Sequence, residues 1–172
     1  MSLKNSLSVA RSTHGIWINV MGCGDSQSSP SLKECFHKML EEGHRHYVIN
    51  LMYCHWMDST FMGTITGLAQ RLKRFHDGEL RVVNVNKSNQ ELMQNLGLHQ
   101  LFLIVPITQK PEQPPVSAIE ELPLYKNRKG KDNFAKSRRQ EVHEAVLSAH
   151  HSLIKVSSAN QEKFQHVLDL ME

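Results

Sequence analysis

Residues 47–63 read YVINLMYCHWMDSTFMG. The opening YVINLM is an apolar run with β-branched members, which is the composition of a buried strand. Asp58-Ser59-Thr60 follows, and Phe61, Ile65, Leu68, Leu72 and Phe75 then step by four, three, four and three. That spacing predicts an amphipathic helix, with Arg71, Lys73 and Arg74 near the end where a helix dipole favours cations. An Asp just before such a stripe is suited to be an N-cap, its carboxylate accepting orphan N–H groups of the first turn. Ser59 then stands at or near the first helical position, where a phosphate would meet backbone donors and the positive end of the dipole. Phosphorylation there would add about two negative charges to the surrounding surface and repel an acidic or apolar partner. On local chemistry alone, the same three residues also serve as a plain cap.

Upstream, GIWINV (15–20) alternates and reads as a strand, broken by Gly22, Gly24 and the polar run 25–31. Ser28 and Ser29 before Pro30 are credible N-caps for a helix through 31–42, with Leu32, Cys35, Phe36, Met39 and Leu40 on one face and Gly43 as its stop. Downstream, Asp77-Gly78 turns the chain into a strand at 79–85, ELRVVNV. Ser88 and Glu91 match a capping box for a short helix carrying Leu92, Met93 and Leu96, stopped by Gly97. LFLIV (101–105) is a further strand. Residues 15–105 therefore alternate strand and helix, the pattern of an α/β domain with helices covering a sheet.

The flanks read differently. Residues 1–14 are expected to form an N-terminal arm. Five of the six prolines fall at 106, 111, 114, 115 and 123, so 106–124 is expected to be a linker, neither strand nor ordinary helix. Beyond it, a basic segment holds Lys126, Arg128, Lys129, Lys131, Lys136, Arg138 and Arg139 against Asp132 alone. It reads as a solvated linker and helix start, or as a patch for phosphate or an acidic partner. Residues 132–155 are predicted helical, with Val142, Ala145, Val146, Ala149, Leu153 and Ile154 on one stripe. Asn160 then caps a short final helix carrying Phe164, Val167, Leu168 and Met171. Two such helices cannot bury a core alone, so within 125–172 they are expected to dock on the α/β body or on a partner, a second copy of the chain included.

Composition excludes several classes. A chain of 172 residues is one domain's worth, at roughly 100–200 residues per domain. No apolar run approaches the ~20 residues of a membrane span, and MSLKNSLSVARSTHG lacks the apolar core of a secretory signal. Three cysteines without CxxC spacing argue against a disulfide scaffold or a cysteine zinc site, and fit a reducing cytoplasm. A net charge of +3 is too mild to indicate nucleic-acid binding. Among the 11 histidines, His143 and His150 are seven apart on one predicted helix with Glu144 nearby, but no metal-binding spacing of the HExxH type occurs, so no metal is expected. Cys54 beside His55 suggests a nucleophile, yet no third orienting group is placed. No dinucleotide-binding or Walker A glycine pattern is present, so neither a cofactor nor an enzymatic activity is expected.

The segment 15–105 resembles a STAS domain of the anti-sigma-factor antagonist type. The likeness runs through the strand ending at Gly22, the helix SLKECFHKMLEEG, the stretch YVINLMYCHWMDSTFMG and LKRFHDGELRVVNV. It continues to the pattern at Ser88, Leu92, Leu96, Gly97, Leu98, Leu101 and Phe102. The family signature, Asp-Ser, then usually Ser or Thr, then Gly-x-Gly, is matched by Asp58-Ser59-Thr60-Phe61-Met62-Gly63. The resemblance implies a four-stranded sheet flanked by helices, here with a C-terminal helical extension. It implies no catalysis, with Ser59 as phosphoacceptor and Asp58 beside it. Asn50 stands where the family commonly has Asp, and Phe61 where it has Gly; with Asp58, Thr60 and Gly63 they are the expected rim of a partner interface. The implied partners are an anti-sigma factor with serine kinase activity and a serine phosphatase. A second implied reading is an accessory or scaffold subunit of a transporter or signalling complex.

Overall fold

The computed structural model describes residues 4–114, 119–122 and 132–172, with side chains described from 137 onward in the last segment. In chain order the elements are β1 (Ser6–Ser12), β2 (Gly15–Gly24), α1 (Ser29–Glu41), β3 (His46–Met57), α2 (Ser59–Leu72), β4 (Glu79–Val85) and α3 (Lys87–Asn95). They continue with β5 (Leu103–Pro106), β6 (Ile119–Leu122), α4 (Asp132–Ile154) and α5 (Ser158–Met171). The sheet order is β5-β4-β3-β2-β1-β6. Strands β2 to β5 run parallel, joined by helical crossovers, and β1 is antiparallel to both β2 and β6.

The sheet therefore has six strands and not the expected four. The residues expected to form an arm supply β1, whose Leu7 and Val9 are buried while alternate serines are half-exposed. The two-residue turn Thr13-His14 returns the chain, with Gly15 at φ +136° beginning β2. The stretch expected to be a linker supplies β6, four residues between prolines that add to the edge through β1. Its exposed Glu120 and Glu121 charge that edge, a common way of blocking further strand addition.

Two caps also differ from expectation. Helix α3 is capped by Asn86, whose side chain accepts the Asn89 N–H, so Ser88 and Glu91 are not the cap. Helix α5 is capped by Ser157, which frees Asn160 for the interior. Helix α2 ends at Leu72, and the Arg45 guanidinium covers the Phe75 ring in the turn beyond, 3.9 Å from its centroid.

One face of the sheet carries the apolar core. Ile16, Ile18 and Val20 of β2, Ile49 and Leu51 of β3 and Val82 of β4 meet Leu32, Phe36 and Met39 of α1 and Phe61, Ile65, Leu68 and Leu72 of α2. Each such side chain contributes about 1.5–3 kcal/mol by leaving water. The C-terminal helices dock on this body: α4 packs along α2, burying Ala145, Ala149 and Leu153, and α5 packs on α4 with Phe164 and Leu168 buried. The Asn160 amide donates to the carbonyls of Leu96 and Leu153, at 2.9 and 3.0 Å, tying α5 to the end of α3 and the end of α4. Of the two expected uses of the apolar stripe, docking on the α/β body is the one seen: Ala145, Ala149 and Leu153 are buried against it.

Candidate functional site

The site forms where β3 hands the chain to α2. Asp58 is extended, with φ −89° and ψ 171°, and its Oδ1 accepts the Phe61 N–H at 2.9 Å, as expected of a cap. Its Oδ2 accepts the Ser26 N–H of the β2–α1 loop at 2.8 Å. One carboxylate thus starts the helix and pins the neighbouring loop. Burial pushes the Asp58 carboxyl above its ordinary range, against the opposing pull of the Phe61 and Ser26 N–H groups, with Asp25 adding a smaller push upward.

Ser59 follows as the first residue of α2 and is half-buried. Its Oγ lies 3.0 Å from Nε2 of His150, on α4. The other ring nitrogen, Nδ1, lies 2.8 Å from the Val146 carbonyl, one turn back on α4. A carbonyl only accepts, so Nδ1 carries the proton; in the neutral ring Nε2 is then the acceptor and the Ser59 hydroxyl donates to it. His150 is 3% exposed, with the Phe164 ring edge-on behind it at 5.3 Å. The hydroxyl expected to receive phosphate is therefore engaged by the C-terminal extension. His150, considered from sequence only as half of a metal pair, is turned away from that role, and His143 is exposed. Among the described residues no group of three or more His, Cys, Asp or Glu side chains could hold a metal ion.

The expected rim residues do not share one surface. Asp58 and Ser59 are half-buried at the helix start, whereas Thr60 is buried and Phe61 is fully enclosed. The Phe61 ring points inward against Gly24, where an added Cβ would stand 2.5 Å from the ring. Phe61 thus does not reshape the surface beside Ser59, because the missing side chain at Gly24 makes room for it inside. Gly63 is buried under α4: an added Cβ would come 2.7 Å from Ala149 Cβ and nearer still to its carbonyl oxygen.

Asn50 is also not a rim residue. It alternates with Ile49 and Leu51, so its side chain lies on the opposite face of the sheet, 6% exposed. Asn84 Nδ2 donates to Asn50 Oδ1 at 2.8 Å, Asn50 Nδ2 to Asn19 Oδ1 at 3.0 Å and Asn19 Nδ2 to Ser8 Oγ at 3.4 Å. This amide ladder crosses β4, β3, β2 and β1. Asn84 takes φ +56° and clasps the backbone of Glu112 through both ends of its amide.

Cys54 stands in surroundings that oppose thiolate formation. Burial pushes its thiol up to about 11, and Sγ donates to the Trp56 carbonyl at 3.4 Å. Of the basic segment, Lys126, Arg128, Lys129 and Lys131 lie outside the described residues, as does the side chain of Lys136. Arg138 is half-buried and Arg139 exposed on the first half of α4. Among the described residues no helix is long and apolar enough to cross a membrane.

A STAS domain model matches residues 9–113, more than half of the chain. This protein belongs to the STAS domain family. The fold agrees with solved structures of low identity. One is the anti-sigma factor antagonist SpoIIAA in its unphosphorylated form, with 15% identity, a TM-score of 0.51, and 60% of this chain and 90% of that chain covered. Another is an anti-sigma factor antagonist from Mycobacterium paratuberculosis, with 17% identity, a TM-score of 0.52, and 61% of this chain and 86% of that chain covered. The STAS match takes in β1 from Val9, Asp58 and Ser59, and the Asn84–Glu112 clasp. Helices α4 and α5, and with them His150, lie beyond it.

Sequence reasoning missed His150 as a neighbour of Ser59. A signal was present: His150 sits beside Ala149 on the apolar stripe of α4, and Ser59, Gly63 and Gly67 step by four on α2. Neither pattern names the other helix as its partner.

Proposed function

We propose that this STAS protein is a regulator of the anti-sigma-factor antagonist kind, switched at Ser59. In its unphosphorylated form it binds an anti-sigma factor with serine kinase activity. That partner's ATP supplies the phosphoryl group: Ser59 Oγ gains the phosphorus and loses its proton, and ADP leaves. A serine phosphatase returns the hydroxyl by hydrolysis.

The observation that carries this reading is Ser59 at the first position of α2, directly after an Asp58 whose two oxygens are held by backbone N–H groups of α2 and of the β2–α1 loop. A phosphate there meets the positive end of the helix and the backbone N–H groups of its first turn. The change of about two charges falls on the partner's side of the site.

The test is phosphopeptide mapping of the protein from its own cells in growth and after stress, paired with binding of a candidate kinase partner to wild type, Ser59→Asp and Ser59→Ala. Phosphate on Ser59 that changes with state, and at least tenfold weaker binding of Ser59→Asp, are the expected results; tenfold corresponds to about 1.4 kcal/mol. Equal binding by all three forms refutes the proposal.

A further inference from the structure

We infer that α4 is a built-in competitor for the Ser59 surface: seated α4 excludes a phosphate on Ser59 or a partner docked there, and is excluded by either. The inference rests on the reading of Ser59 as the switch and adds its regulation.

The contact is close along its length. Ser59, Gly63 and Gly67 form one stripe on α2, at helical steps of four. Against it lie His150 on Ser59, Ala149 on Gly63 and Ser152 on Gly67. Gln70 adds a hydrogen bond to the Ser152 carbonyl at 2.9 Å. At Gly63 there is no room for a side chain on α2: an added Cβ would meet the carbonyl and the Cβ of Ala149. A phosphoryl group on Ser59 Oγ needs space for a phosphorus and three oxygens, where His150 Nε2 now stands 3.0 Å away with Phe164 behind it. That space exists only when α4 moves off α2. A partner docking over Ser59 meets the same obstacle.

The seat is also built to release. Among the described residues no ion pair joins α2 to α4. Beyond Gly67 a cavity of about 210 Å³ opens between α1, α2 and α4. Its lining includes Lys33, Arg71, Arg74 and Lys155 and no carboxylate, so no ion pair closes the seam there. Among the described residues, the apolar side chains that α4 buries completely are two alanines and one leucine.

The test is hydrogen exchange of the backbone amides of 145–154 in the full chain, comparing wild type with Ser59→Glu. The glutamate places a carboxylate at the contested position and needs no kinase or partner. The expected result is at least tenfold faster exchange in 145–154, with β3 and β4 unchanged. Unchanged or slower exchange there overturns the inference, the slower case meaning that the anion clasps His150 and holds α4 down.

A second variant guards against a Ser59→Glu chain that does not fold. Gly67→Cys with Ser152→Cys places two Cβ atoms about 3.9 Å apart, within disulfide range. The oxidised pair should hold α4 on α2 and cut Ser59 phosphorylation by an added promiscuous serine kinase at least tenfold, with recovery on reduction. Equal phosphorylation of the two redox forms overturns the inference. Changed exchange without phosphate on Ser59 in cells would defeat the switch and leave the contact standing; phosphate in cells with unchanged exchange would do the reverse.

Discussion

Asp58 does two jobs with one carboxylate, and its replacement separates them. Asp58→Ala removes the acceptor for both Phe61 and Ser26 N–H groups and should lower stability by about 1–2 kcal/mol in urea melts. Asp58→Asn keeps one oxygen acceptor and should cost less. The pair also reports on pH. Burial raises the Asp58 carboxyl from its ordinary 3.8, so between that value and its raised native one the folded chain holds the proton more tightly than the unfolded chain. Stability contributed by this group therefore declines as pH rises through that window. Asn does not titrate, so wild type should lose stability relative to Asp58→Asn as pH is raised from 3.8, read by melting the two side by side. A constant difference would show that the two N–H bonds fully offset burial.

Helix α2 is legible in sequence as an amphipathic element, but its third face is not. The apolar stripe from Phe61 to Leu72 points to the sheet as expected. The glycines at 63 and 67 give no periodic apolar signal, and only the arrival of α4 explains them. Gly63→Ala tests that packing. An exposed helical Gly→Ala change gains up to about 1 kcal/mol of propensity. Here the new methyl meets Ala149, and overpacking of this kind costs about 1–3 kcal/mol. The expected result is a net loss of stability in thermal melts. A net gain would mean that α4 yields without cost.

At the scale of the whole molecule, the sheet is held from two sides by different chemistry. The helix-facing side is apolar. The other side is crossed by the Asn84–Asn50–Asn19–Ser8 ladder and by the Glu112 clasp, with Arg81 paired to Glu112 as well. The ladder places polar partners on successive strands, so it acts on their register. Asn50→Ala should remove two rungs and the acceptor for the Met52 N–H, lowering stability by roughly 2–3 kcal/mol in urea titration. An effect under about 0.5 kcal/mol, the usual range for surface positions, would show the ladder to be incidental. The same change should leave α4 seated, because Asn50 projects to the face opposite Ile49 and Leu51, which pack toward α2.

The alternation of strands and helices over 15–105, and the Asp58 cap with Ser59 just inside the helix, were determined by the sequence. Each is set by neighbours within a few positions: periodicity for the strands and α2, and an Asx side chain reaching its own first turn for the cap. The STAS resemblance was legible for the same reason, since its motif is local. The strands β1 and β6, the amide ladder and the meeting of Ser59 with His150 were decided only by tertiary structure. A serine-rich strand and a four-residue strand between prolines carry too little local preference until an edge is there to pair with. Ser59 and His150 are 91 positions apart, and nothing in either helix specifies the other. What joins them is the packing of α4 against two glycines, whose missing side chains leave room for Ala149 and Ser152 and carry no periodic signal.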